Sequence, residues 1–319
     1  MAPSRAYFMA ITGAVLFGAS APLSKVLLGN IDPVLLAALL YLGSGSGLLL
    51  FKLFRRLSGL RDGEPLRRRD TPWLAGSILA GGVAAPIVLM LGLSSTSAAT
   101  ASLLLNFECV ATTLLAAFLF QEFIGRRIWL AIGCITAASA ILSFSGSEFG
   151  LSFGAICILF ACILWGLDNN LTRNISSRDP LSIGIIKGFA AGSFSFLLAL
   201  LLGAHLPSLP LIIATMLLGA ISYGLSVALF ILSMRYMGAA RASAWLGTAP
   251  FAGVIVSFLI FRSFPGLTFL VALPFMILGA FLLFGEDLAH THVHMHGTLT
   301  HEHMHSHDKK GHEHEHMDN

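Results

Sequence analysis

The sequence predicts an all-α integral membrane protein: ten transmembrane helices as two inverted five-helix repeats, followed by a disordered histidine-rich C-terminal tail. Three observations carry this. The chain is 56% hydrophobic and 11% charged with mean hydropathy +0.82, which excludes an ordinary soluble domain. Sliding Ala101–Gly125 forward by 141 places it without a gap on Ala242–Gly266, aligning Ala101-Ser102 with Ala242-Ser243, Phe120 with Phe261 and Phe123 with Phe264. Finally, basic residues gather in alternate loops.

A bilayer core takes about 20 apolar residues per helix. Ten such stretches can be marked, at 6–28, 33–54, 72–92, 98–120, 128–145, 152–172, 182–203, 211–234, 243–261 and 267–285. They are numbered helix one to helix ten below. In lipid they must be helical, because an open strand leaves its amides unpaired. Their density of Gly, Ala and Ser suits close helix packing. The first stretch follows Arg5 as a signal peptide would, but it is too long and Ser24-Lys25 is no cleavage context, so a retained helix is expected. A second echo supports duplication: Leu16-Phe17-Gly18, Lys25 and Asp32-Pro33 recur as Leu164-Trp165-Gly166, Arg173 and Asp179-Pro180 with one residue of slippage. The repeats are therefore expected at 6–145 and 152–286, with the tail at 287–319. An odd number of spans per repeat places the copies upside down relative to each other, which is a transporter architecture. Cys109, Cys134, Cys157 and Cys162 all fall inside apolar stretches and predict neither disulfides nor a thiolate metal site.

With the N-terminus in the cytoplasm, the inside loops and helix edges hold fourteen basic residues, among them Arg55, Arg56, Arg67, Arg68, Arg69, Arg126, Arg127, Arg173 and Arg178; the outside loops hold only Arg262. Lys and Arg resist translocation, so both termini are expected in the cytoplasm of a cell bounded by this cytoplasmic (inner) membrane. The long loop 55–70 reads as a topology determinant rather than an anionic-lipid or nucleic-acid patch.

The stretch Ala101–Glu122, ASLLLNFECVATTLLAAFLFQE, resembles the fourth helix of EamA-like members of the drug/metabolite transporter superfamily: an Ala-Ser opening, an Asn-x-Glu-Pro-like centre and a terminal Glu before a basic turn. Ala242–Phe261 is similar, with the family's proline present as Pro250. The resemblance covers both repeats and implies two inverted five-helix units around a central cavity, in a family of exporters of amino acids, other metabolites and drugs. Two positions depart from the pattern. Cys109 replaces the usual proline, so the kink of helix four is expected to be absent or weaker. Ser263 stands where the first repeat has Glu122.

An ionisable side chain deep in a membrane costs about 2.5–3.5 kcal/mol on insertion scales, so each one is a functional candidate. Glu108 is the deepest, with Asn106 two residues before it. A lone carboxylate there is a candidate proton carrier, or an anchor for a substrate ammonium group. Packing between helices is the competing role. Asp168 lies near the cytoplasmic end of helix six, where a local pair with Arg173 is favoured over a transport role. Lys25 and Lys187 are ambiguous in the same way. Trp165 and Tyr223 are cavity-lining candidates, although packing explains isolated aromatics as well. Pro22, Pro86, Pro250 and Pro274 each free a helical carbonyl and invite bending, and Pro22 and Pro250 are further cavity candidates. No phosphate loop, nucleophile–base pair or zinc-protease helix is legible, so an enzyme is not expected.

The tail holds eleven of the twelve histidines and no aromatic apart from imidazole, and it is too polar to bury a core. His290, His292, His294 and His296 alternate with other residues, as do His301, His303, His305 and His307, and then His312, His314 and His316. Clustered imidazoles with Glu302, Glu313 and Glu315 are expected to bind Zn, Ni, Co or Cu, although no cofactor is required. Three readings follow. The first is a secondary exporter of small metabolites or amino acids, with a lipid bilayer and a small-molecule substrate as partners, no nucleic acid, and a regulatory metal-binding tail. The second is a divalent-metal efflux permease fed by the tail. The third is a non-transporting metal or pH sensor. The apolar helices offer too few ligands for a dehydrated divalent cation, which ranks the second below the first. Oligomeric state is not legible.

Overall fold

A computed structural model describes residues 3–59, 63–120, 125–143, 152–175, 177–237, 247–262, 266–284, 289–296 and 299–306. Among them, eight helices are long and apolar enough to cross a membrane: Tyr7–Leu27, Pro33–Leu57, Arg68–Ser95, Ala98–Leu119, Arg126–Ser143, Phe153–Arg173, Pro180–Leu201 and Leu209–Phe230. Two more apolar helices, Ala249–Phe261 and Leu267–Leu282, are shorter. These segments fall on the ten expected stretches in order.

The upstream sequence echo has a local cause. Asp32 caps helix two, its Oδ1 accepting from the amides of Val34 (2.9 Å) and Leu35 (3.3 Å), with Pro33 in the first turn. Asp179 caps helix seven in the same way, accepting from Leu181 (3.3 Å) and Ser182 (3.2 Å), with Pro180 in the first turn. An acidic cap followed by proline is a strong helix start, because the proline lacks the amide that would otherwise be orphaned.

Packing is reciprocal between the repeats. Helix one lies on helices eight and nine, and its counterpart, helix six, lies on helices three and four. Helices two and seven cross each other where a Cβ added at Gly188 would sit 2.7 Å from the Cα of Gly45. Helices five and ten pair likewise, as do the first half of helix four and helix nine. Such exchange of partners is what a two-fold relation between copies produces. The buried core runs through both repeats, from Leu35, Leu36 and Leu40 to Leu89, Leu93, Leu103 and Leu104, and on to Ile135, Ile158 and Met276.

One irregularity recurs at the 141-residue offset. Helix three widens into a π-helix at Ile78–Ala84, and helix eight does so at Gly219–Leu225. These segments occupy equivalent repeat positions. In the first, the Ala85 amide bonds to the Ala80 carbonyl, and the next donor in that ladder would be Pro86, which has none. The Gly81 carbonyl is thereby left for other partners.

Helix four breaks at Leu105–Asn106, between Ala98–Leu104 and Phe107–Phe120. The absence of proline at Cys109 was expected to weaken this kink, and the structure corrects that. Tight three-residue bonds make the break instead: Asn106 N to Leu103 O (3.2 Å), Glu108 N to Leu105 O (3.1 Å) and Cys109 N to Asn106 O (3.2 Å). In the second repeat, a turn at Gly247–Thr248 precedes Ala249–Phe261; the residues before it, 238–246, lie outside the described ones.

The tail also departs from expectation. Ala289–His296 and Leu299–Ser306 form two antiparallel strands, β1 and β2. His290 pairs with His305, His292 with His303 and His294 with His301, all at register positions sharing one face. A composition too polar for a core predicted disorder, but the His-x-His alternation has the two-residue period of a strand. His307, His312, His314 and His316 lie outside the described residues.

Candidate functional site

The break in helix four and the start of Ala249–Phe261 open onto a cavity of about 560 Å³, within the range of small-molecule sites. The two repeats contribute equivalent positions to its wall: Asn106 with Gly247, Glu108 with Ala249, and Cys109 with Pro250. Phe17, Trp165, Tyr223 and Phe230 supply aromatic rings. Glu108 supplies the sole charged side chain among the described lining residues.

Glu108 stands in the first turn of the second half of helix four, where the amide end of a helix favours an anion. Its Oε1 accepts from Asn169 Nδ2 at 2.9 Å, and the same nitrogen donates to Thr112 Oγ1 at 3.1 Å. Asn106 is buried, and its Nδ2 donates at 3.4 Å to the Leu103 carbonyl that also accepts its backbone amide. Cys162 Sγ approaches the Leu104 carbonyl at 3.8 Å, so helix six covers the break from outside.

Trp165, Tyr223 and Pro250 line the cavity. Trp165 Nε1 donates to the Gly81 carbonyl at 3.0 Å. Tyr41, from helix two, donates its hydroxyl to the same oxygen at 2.7 Å. The Tyr41 ring also lies 6.0 Å from that of Tyr223, and Tyr223 makes an edge contact with Phe17 at 5.9 Å. Tyr41 therefore touches both π-helical segments. No periodicity marks it out; only the pairing of a freed carbonyl with a buried hydroxyl would have found it.

Three candidates stand elsewhere. Pro22 is buried in helix one and is not part of the wall. The Lys25 ammonium donates to the carbonyls of Leu93 (2.5 Å) and Ser94 (2.8 Å), capping the C-terminal end of helix three. It reaches toward the helix end because that is where unpaired carbonyls are. Asp168 faces away from the cavity, although its neighbour Asn169 faces into it. The Asp168 carboxylate is bonded by Ser77 Oγ (2.5 Å), Thr172 Oγ1 (3.1 Å) and the Lys187 ammonium. The ion pair therefore forms with Lys187 on helix seven rather than with Arg173 in the same helix.

Where the charged loops meet, Arg178 binds Glu64 (2.5 Å) and Asp70 (2.8 Å), and Lys52 binds Asp179 (2.7 Å). Burial pushes the Asp179 carboxyl up, but hydrogen bonds from Lys52 and Ser182 and the Lys52 charge outweigh it and hold it below the usual range. These pairs knit the loop after helix two to the loop before helix seven.

A helical bundle with eight apolar candidate spans among the described residues, and a cavity at the break in helix four, fits a membrane transporter fold. The chain belongs to the EamA-like transporter family, whose model matches residues 4–144 and 152–285. It is 30% identical over 277 residues to an uncharacterized transporter of Methanothermobacter thermautotrophicus, spanning 80% of this chain and 79% of that one. A solved crystal structure, described only as that of a protein, matches with a TM-score of 0.62 at 20% identity, covering 87% of this chain and 95% of its own. At that identity the likeness concerns the fold alone.

Proposed function

We propose that this transporter exports a small metabolite or amino acid across the cytoplasmic membrane by alternating access, and that Glu108 anchors the substrate or carries the coupling proton. In this reading all ten helices span, the repeats are inverted, and both termini are cytoplasmic. The basic loop residues support that orientation. Ile128, next in sequence to the basic Arg126 and Arg127, is among the lining residues, which supports loading from the cytoplasmic side.

One observation carries the reading: a single carboxylate, oriented by Asn169, in a cavity walled by aromatic rings. That chemistry suits a ligand ammonium group, held by the carboxylate and flanked by ring faces. The second half-helix opening on the cavity, at Ala249, has no acid in its first turn, and its amide end suits a ligand carboxylate. Together the two ends favour a zwitterion such as an amino acid.

The histidine tail is proposed as a regulatory metal-binding element rather than the source of a metal cargo. The described cavity wall contains one carboxylate and no imidazole, too few ligands for a divalent metal, whereas β1 and β2 bring three histidine pairs to opposed register positions. The test is counterflow of labelled amino acids into proteoliposomes holding the purified full chain. Accumulation that Glu108→Gln abolishes, while the variant stays folded, supports the reading. Equal accumulation by both proteins overturns it.

A further inference from the structure

The oxygen cluster around Asp168 is separate from the cavity and is not used by the transport reading above. It is built at the edge of the first π-helical segment. Ser77 is the last α-helical residue before Ile78–Ala84, and a Cβ added at Gly81 would lie 1.9 Å from Asp168 Oδ2. Helix three thus comes against helix six with only a glycine's clearance. Ser77 Oγ, Thr172 Oγ1 and the Asp168 carboxylate converge there: Ser77 to Asp168 at 2.5 Å, Thr172 to Asp168 at 3.1 Å and Ser77 to Thr172 at 3.1 Å. The group that enters this cluster is the Lys187 ammonium, from helix seven. The Asp168 side chain is 6% exposed and that of Lys187 is 18% exposed.

One carboxylate and two hydroxyls supply hard oxygens and a single negative charge. In a low-dielectric interior such a set neutralises one positive charge; a divalent ion would leave an uncompensated charge buried. The donors and their total charge are those of an alkali-metal site, and broken membrane helices are where transporters hold such ions. A lysine ammonium is a compact point charge on a flexible stem, able to stand in an ion's place. We propose that Ser77, Asp168 and Thr172 form a monovalent-cation site in the transport core, and that Lys187 fills it as a tethered cation. The resting core is then neutral without a bound alkali ion, and transport needs no sodium. Removing the lysine recreates a site for sodium, lithium or potassium.

The test needs no transported substrate, so it can fail while the cavity reading stands, and the reverse. Purified full-length wild type, Lys187→Met and Lys187→Gln, each lysine variant also combined with Asp168→Asn, are melted in detergent. The salts are sodium, lithium, potassium or choline chloride at equal ionic strength, with binding of radioactive sodium measured in parallel. The wild type should melt at one temperature in all four salts and bind no sodium. Both lysine variants should bind sodium saturably and melt higher in one or more alkali salts than in choline. At an ion concentration 100 times Kd the folding equilibrium should shift about 100-fold. Asp168→Asn should remove both effects.

Lysine variants that purify folded but melt alike in every salt overturn the proposal. So does alkali stabilisation that persists with Asp168→Asn, or that already appears in the wild type. Should the lysine variants fail to fold in choline, recovery of monodisperse protein in an alkali salt supports the site, and failure in all four salts overturns it.

Discussion

Gly81 and Ser222 stand 141 residues apart, at the same position of their repeats, inside π-helical segments, and each offers its carbonyl to a side chain. The Gly81 oxygen takes Tyr41 and Trp165 from two other helices. The Ser222 oxygen takes the hydroxyl of Ser226 from its own helix, at 2.5 Å. One repeat latches its irregular segment to neighbours; the other closes its segment on itself.

Two donors on one carbonyl make their removal non-additive. Tyr41→Phe or Trp165→Phe alone should each cost about 0.5–1.5 kcal/mol, because the other donor still satisfies the oxygen. The double variant should lose more than the sum, since the buried carbonyl is then orphaned at a cost of about 1–3 kcal/mol. Unfolding in detergent by denaturant titration measures all three. Additive losses would show that the carbonyl finds another partner.

Asn169→Ala should impair transport nearly as much as Glu108→Gln, because the amide fixes the carboxylate, whereas Lys25→Ala should leave transport unchanged. A proteoliposome assay with both variants checks the contrast. A transport defect in Lys25→Ala with Asn169→Ala unaffected would move the site away from the cavity.

The Lys52–Asp179 contact predicts a pH signature. Asp179 has its folded pKa lowered, so its contribution to stability is present above the unfolded carboxylate value of about 3.9 and fades as pH falls through the lower folded value. Asp179→Ala should cost about 0.5–2 kcal/mol at neutral pH for the lost cap alone. The gap from wild type should close in acid, as seen by melting the two proteins between pH 7 and pH 3. A gap that widens in acid reverses the assignment.

A two-stranded hairpin is marginal in water, so metal should strengthen the pairing of β1 with β2. Zinc is expected to increase ordered signal in the tail of the full-length protein. His292→Ala with His303→Ala should weaken binding more than His290→Ala with His303→Ala, since only the first removes a directly opposed pair. Binding should weaken as pH falls through about 6.5, where imidazoles protonate. Calorimetry with the full chain and with residues 1–286 reads this out, and equal zinc uptake by both would exclude the tail.

Hydropathy gave the order of the helices, and the two sequence echoes pointed to the counterparts of helices one, two and four. Glu108 was legible because a carboxylate in an apolar run is costly. Its partner Asn169 was not, because neighbouring residues on a helix point different ways and the sequence does not say which of Asp168 and Asn169 faces the cavity. Lys187 rather than Arg173 at Asp168 is a tertiary fact, decided by where helix seven lies. The break in helix four without its proline was hidden because backbone bonding, not residue type, makes it. The π-helical segments leave no composition signal, although Pro86 after a glycine pair marks one of them in retrospect.

Helix two has its glycine faces turned to the other half of the chain: Gly43 toward the backbone of Met216, and Gly45 toward Gly188. Neither neighbour exists until the second repeat has been synthesised. The closest glycine contacts of helix two are therefore made only after its twin in the second repeat arrives. A ribosome that stops after the first repeat leaves inserted helices without a finished protein.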